Sequence, residues 1–156
     1  MKQENKEILL KDICARLPYR VKCSFGVDDA IYEITGINPS ACGASEIQAT
    51  HVKSGVNGDF KLNSCKPYLF PLSSITEEQE QELITITNGK FRYRWGVITN
   101  AIPRKNTSEW GVSENAFIDG IEVINILYIW LLKNHFDING LISMGLAIDA
   151  TNLNIY

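Results

Sequence analysis

The period of the hydrophobic pattern changes at Pro18, and this change constrains the fold more than any other feature of the chain. Before it, Ile8, Leu9, Ile13 and Leu17 recur at helical spacing, while Lys6, Glu7, Lys11, Asp12 and Arg16 line the other side. The spacing predicts an amphipathic helix over residues 6–17 with a solvated, charged face. Proline disfavours the helical conformation in the residue before it, so the helix stops there. Immediately afterwards Tyr19, Val21, Cys23 and Phe25 alternate with Arg20, Lys22 and Ser24, the period of a half-buried strand.

The strand pattern continues. Residues 30–37 are rich in β-branched and aromatic side chains, residues 45–52 alternate less cleanly, and Asp59 to Leu62 reads as a short fourth strand. Turn chemistry separates them: residues 26–29, Asn38-Pro39-Ser40 with Cys42-Gly43, then Ser54-Gly55 and Asn57-Gly58. Four short strands joined in this way form an antiparallel meander, which curls or is covered by a helix because one flat face cannot bury itself. The expected fold is therefore α+β. A small curled antiparallel sheet, SH3-like or a partly open barrel, carries an N-terminal helix over one opening.

The second half reads as more helical. An extended connector with Pro67 and Pro71 spans residues 66–74. Thr76-Glu-Glu-Gln79 is a capping box that starts a polar surface helix over residues 77–87, ended by Asn88-Gly89. Residues 91–97 alternate as one further strand, residues 100–115 form a polar loop, and residues 116–134 form the strongest helix. That helix is apolar on several sides and is expected to be largely buried. The tail stays apolar to its last two residues, Ile155 and Tyr156, so it is expected to dock on the fold rather than fray. With no repeat, linker or low-complexity tract, residues 1–156 read as a single domain with a helical C-terminal half.

Composition excludes some classes of function. A 45% apolar and 21% charged chain is not globally disordered. A net charge of -3 gives no overall footprint for nucleic acid. Its longest apolar run, Ile121 to Leu132, is interrupted by Glu122 and Asn125 and is too short to cross a bilayer. The N-terminus is too polar for a signal peptide, so a cytoplasmic location is expected. Cys14, Cys23, Cys42 and Cys65 show no paired spacing and read as thiols in a reducing compartment.

No phosphate loop, metalloprotease motif or nucleophile elbow is present, and neither a metal nor a cofactor is expected. His135-Phe136-Asp137 has the residue types of an acid–base pair, but at that spacing on a helix end the side chains do not meet. The pair is read as a helix end followed by a turn. Glu77, Glu78, Glu80 and Glu82 spread around one helix and read as a solvated face, with an acidic decoy as the other reading. Arg92-Tyr93-Arg94-Trp95 is the best local case for a nucleic-acid surface, with aromatics to stack bases and arginines to hold phosphates. A period of two puts the two sets on opposite sides, which favours a core strand. Arg92 and Arg94 remain candidate partner contacts. Tyr68 and Phe70, between the prolines, are candidates for an aromatic anchor; the competing reading makes them a plug that pins the connector to the core.

Four blocks together carry a resemblance. They are Leu10-Lys-Asp-Ile-Cys-Ala-Arg-Leu-Pro-Tyr-Arg-Val-Lys22, Lys66-Pro-Tyr-Leu-Phe-Pro-Leu-Ser-Ser-Ile-Thr-Glu-Glu78, Trp130-Leu-Leu-Lys-Asn-His-Phe-Asp137, and Gly140-Leu-Ile with Gly145-Leu-Ala-Ile-Asp149. In these the chain resembles a family of small proteins encoded by phages and prophages of gut bacteria. The blocks are family markers with no known chemical role, so no catalytic residue is carried over. The resemblance implies an accessory protein in the host cytoplasm that binds a host protein, with inhibitors of bacterial defence, anti-CRISPR proteins among them, as one such class. The alternative is a nucleic-acid module built on the sheet that holds Arg92 and Arg94.

Overall fold

The computed structural model describes residues 1–26, 30–39, 45–87, 91–94, 97–100 and 114–156. Cys42, the expected helix stop at Asn88-Gly89, and residues 101–113 of the expected polar loop lie outside the described residues. The chain divides into two compact units. One joins residues 1–71 to residues 132–156; the other is residues 72–131.

The first unit is α+β. Helix α1 (Gln3–Arg16) ends where Pro18 requires, in a 3-10 turn over Leu17–Tyr19. Strands β1 (Lys22–Ser24), β2 (Tyr32–Pro39), β3 (Ser45–His51) and β4 (Asn57–Lys61) form the expected antiparallel meander. The turn between β3 and β4 is made by Ser54-Gly55 alone, with Gly55 at φ +70° and its N–H donating to the His51 carbonyl. Asn57-Gly58, read as a second turn, instead lies inside β4.

Two further strands were not expected. The proline-bearing connector contains β5 (Lys66–Leu69), which pairs antiparallel with β1. The tail supplies β8 (Ile148–Asp149), which pairs parallel with β5. The strand order is β4-β3-β2-β1-β5-β8, an open mixed sheet that is not closed on itself. Leu9 and Ile13 of α1 join Val21, Cys23, Ile34, Ile47, Leu69 and Leu141 in its core.

The charged side of α1 departs most from expectation. Asp12 and Arg16, assigned to a solvated face, are 1% and 0% exposed. Arg16 grips both Asp12 oxygens, Nε to Oδ2 at 2.7 Å and Nη2 to Oδ1 at 3.1 Å. The same guanidinium donates to the Phe136 carbonyl at 2.7 Å and, over 3.5 Å, to that of Leu132. Asn139 donates to Asp12 at 2.8 Å. A buried ion pair persists only when its remaining donors and acceptors are satisfied. Here they are satisfied by backbone more than 110 residues away, since the bonds run from position 16 to 132 and 136.

The second unit contains α2 (Glu77–Ile86), β6 (Phe91–Arg94), β7 (Val97–Asn100) and most of α3 (Glu114–Lys133). The capping box is present in both directions, Gln79 N–H to Thr76 Oγ1 and Thr76 N–H to Gln79 Oε1. The segment read as one strand is two antiparallel strands, with Arg92 opposite Thr99 and Arg94 opposite Val97. Over residues 122–133, helix α3 is less buried than its composition suggests. Val123, Leu127, Trp130 and Leu131 are buried, but Ile124, Tyr128 and Ile129 are exposed. The chain beyond Lys133 is turns and β8 rather than helix, so the C-terminal half mixes helix, hairpin and turn.

Removing one member of the Asp12–Arg16 pair leaves a buried charge without its partner. Asp12→Ala is expected to lower unfolding stability by about 3–5 kcal/mol in urea titration. The exposed neighbour change Lys11→Ala is expected to alter it by less than about 0.5 kcal/mol. Equal effects would contradict the pair's role.

Candidate functional site

Two parts of the first unit concentrate polar and aromatic groups. One is the closure formed by the tail, the other the outer surface of the sheet at β3 and β4.

The closure is built around Tyr156. Its hydroxyl accepts from the Lys22 N–H at 3.1 Å and donates to the Tyr68 carbonyl at 2.9 Å. The Lys22 ammonium bonds the Ile155 carbonyl and sits 5.2 Å from the centre of the Tyr156 ring. On the other side the ring stacks on His135, with centroids 3.9 Å apart. Burial holds the Tyr156 phenol well above its ordinary range.

His135 takes a left-handed conformation at φ +60°, just past the end of α3. Its N–H donates to the Leu132 carbonyl and its carbonyl accepts from Phe70. Its Nδ1 is buried with no hydrogen-bond partner. Burial first, then the Arg16 and Lys22 charges, lower its pKa from 6.5 to about 4. Asp137 accepts from the N–H groups of Leu141 and Ile142 at 2.8 and 2.9 Å. The pair is therefore a helix end and a turn cap, with imidazole and carboxylate engaged separately.

Tyr68 and Phe70 belong to this closure. Tyr68 is buried, and Phe70 is half-buried with its ring near those of Phe136 and Tyr156. Backbone bonds fix the segment further: Phe70 N–H to His135, Asp137 N–H to Phe70, and Ala150 N–H to Leu69. This is the plug arrangement. Arg92 and Arg94 stand in the other unit, at alternate positions of β6. The four candidate residues thus fall in two separate units.

Cys23 and Cys65 are buried side by side, and the hydrogen bond between them, then burial, holds the Cys23 thiol far above the range of a reactive one. Among the described residues, no group of three His, Cys, Asp or Glu side chains could hold a metal ion. His51 is engaged locally: its Nδ1 accepts from the Ser54 N–H at 3.1 Å and lies 2.6 Å from the Ser54 hydroxyl.

The outer sheet surface is different in kind. A bulge at Ile34/Gly36 interrupts the β2–β3 register beside an open depression of about 370 Å³. Thr35, Gln48, Thr50, Asn57 and Asp59 line it. Thr50 donates to Asn57 Oδ1 at 2.6 Å. Asp59 stands opposite Gln48, and its carboxylate has no hydrogen-bond or ion-pair partner among the described residues.

The backbone of β4 is open as well. The His51 N–H donates to the Val56 carbonyl, so that pair is a bonded one. Bonded and non-bonded pairs alternate along an antiparallel ladder. Ala49/Gly58 and Ile47/Phe60 are therefore bonded, and the N–H and C=O groups of Asn57, Asp59 and Lys61 point away from β3. Of these, the Lys61 carbonyl accepts from the Ser64 hydroxyl at 2.8 Å. No signal in the sequence marked this edge, because Asn57-Gly58 imitates a turn. Gly58 is required by packing: a Cβ there would lie 2.9 Å from the Phe60 ring, which stacks on Phe25.

Comparison with protein families, with curated proteins and with solved structures found no match to this chain. Among the described residues, no helix is long and apolar enough to cross a membrane.

The closure yields two expected outcomes. Deleting Leu153 to Tyr156 removes the hydroxyl bridge, the stacked ring and the ammonium contact. It is expected to cost roughly 2–4 kcal/mol, read as a lower melting temperature; an unchanged melting temperature would contradict the docked tail. His135 gives a pH dependence. Its folded pKa lies below its unfolded one, so between pH 6.5 and 4 the unfolded chain binds a proton that the folded chain does not. Stability is therefore lost as pH falls through that window, by up to about 3 kcal/mol for a shift of this size. In His135→Asn, which tolerates the left-handed backbone, this part of the slope between pH 6.5 and 4 should vanish in urea titrations.

Proposed function

We propose that this chain is a non-enzymatic accessory protein of phage or prophage origin that acts in the host cytoplasm by binding a host protein. The resemblance in the N-terminal, connector and C-terminal blocks supports a component of a bacterial defence system, such as a CRISPR nuclease or its complex, as that protein.

One observation carries the protein-binding reading. The sheet ends on one side in the two-residue β8 of the docked tail and on the other in β4, whose outer edge pairs with no strand among the described residues. An open strand edge next to a polar depression suits recognition of another polypeptide, whose backbone can use the free N–H and C=O groups. Apart from the buried His135 Nδ1, the polar groups of the closure hold the fold, and within the first unit the β4 side offers backbone groups for recognition.

Affinity capture with the tagged chain from lysates of gut bacterial hosts, read by mass spectrometry, tests this reading. One host protein in stoichiometric amount is the expected outcome. Recovery of no stoichiometric protein from several hosts, or of nucleic acid alone with capture lost in Arg92→Ala/Arg94→Ala, would contradict it.

A further inference from the structure

Resting on that reading, we infer that β4 is a strand-addition site for an extended segment of another protein that carries lysine or arginine opposite Asp59. The backbone supplies affinity at three alternate positions, Asn57, Asp59 and Lys61, whose N–H and C=O groups point away from β3. An antiparallel segment laid along them makes two hydrogen bonds at each paired position, less any lost where the Ser64 hydroxyl already holds the Lys61 carbonyl.

Charge decides what the segment contains. Within the sheet Lys61 stands opposite Glu46, whereas Asp59 stands opposite the neutral Gln48. The Asp59 side chain is exposed and unpartnered among the described residues. It is therefore an exposed carboxylate with no ion-pair partner among the described residues, at the middle of a five-residue strand. Opposite charges directly across a strand pair are favourable and like charges unfavourable, so a basic residue at that position is selected. On the other side of the strand the segment's neighbouring residues meet the partly buried Phe60 ring, which suits apolar side chains.

The same carboxylate disfavours a second copy of this chain as the occupant. In the self-paired register that uses all three open positions, Asn57 meets Lys61 and Asp59 meets Asp59. Two like charges then face each other at the centre, one of the ways in which natural edge strands avoid self-association.

The test uses the full ¹⁵N-labelled chain and two blocked peptides, acetyl-Ser-Thr-Val-Lys-Val-Thr-Ser-amide and the same peptide with Glu in place of Lys. Titration should shift the backbone amides of Asn57, Asp59 and Lys61, with the Lys peptide binding about fivefold more tightly than the Glu peptide, the effect of reversing one cross-strand charge pair. Asp59→Lys should invert that preference. Asp59→Pro should abolish binding yet keep the fold, because the N–H it removes is not a donor to β3. If Asp59→Pro fails to fold, the inverted preference in Asp59→Lys remains the deciding result. Equal affinity for both peptides, shifts centred away from β4, or no saturable shift at millimolar peptide would overturn the proposal. So would a dimer in sedimentation that disappears in Asp59→Pro. A host protein still captured by Asp59→Pro would overturn the site while leaving protein binding intact. Charge-selective peptide binding without any captured host protein would leave the site standing and overturn the function.

Discussion

The bonds between Arg16, Asp12 and the backbone of Leu132 and Phe136 are the constraint on which the first unit depends. They join the end of the first helix to the segment that leaves the last one. A guanidinium in a site that water does not reach is tolerable only when its donors are filled. Asp12 fills two of them, and two carbonyls more than 110 positions further along the chain take others. Folding of α1 onto the sheet and return of the C-terminal segment are therefore coupled: neither can form fully without the other.

From that anchor the closure follows in order. Once Phe136 is placed, its segment pairs with Phe70, Asp137 caps the turn at Leu141 and Ile142, and Leu141 enters the core. Strand β8 then lies along β5, and Tyr156 reaches Lys22 and Tyr68. The tail is held at this end by short contacts whose polar atoms are nearly all engaged. At the other end β4 keeps a row of backbone groups that nothing in the sheet uses, with the exposed Asp59 carboxylate among them.

Much of this arrangement can be read from residue patterns, and the rest cannot for identifiable reasons. The helix ending at Pro18, the four-strand meander, the capping box at Thr76 and the docked tail all rest on local signals, namely period, turn chemistry and caps. Strand β5 was hidden because Pro67 argues against an interior strand, yet it lies between β1 and β8. Asp12 and Arg16 sit at a spacing that describes a solvated ion pair equally well; only their distant carbonyl partners make them core residues. The β4 edge was obscured by Asn57-Gly58, whose glycine serves the Phe60 ring rather than a turn. Of the four residues singled out for partner contact, Tyr68 and Phe70 lie in the closure.

Native-state amide hydrogen exchange tests the central claim, a docked tail at one end of the sheet and an open β4 edge at the other, most directly. The Ala150 N–H, bonded to Leu69, and the Asp137 N–H, bonded to Phe70, should exchange as slowly as the core amides of β3. The Asp59 N–H should exchange near the rate of an unprotected amide although it lies in a strand. Protection of Asp59 comparable to that of Ala49, or rapid exchange at Ala150, would contradict the account.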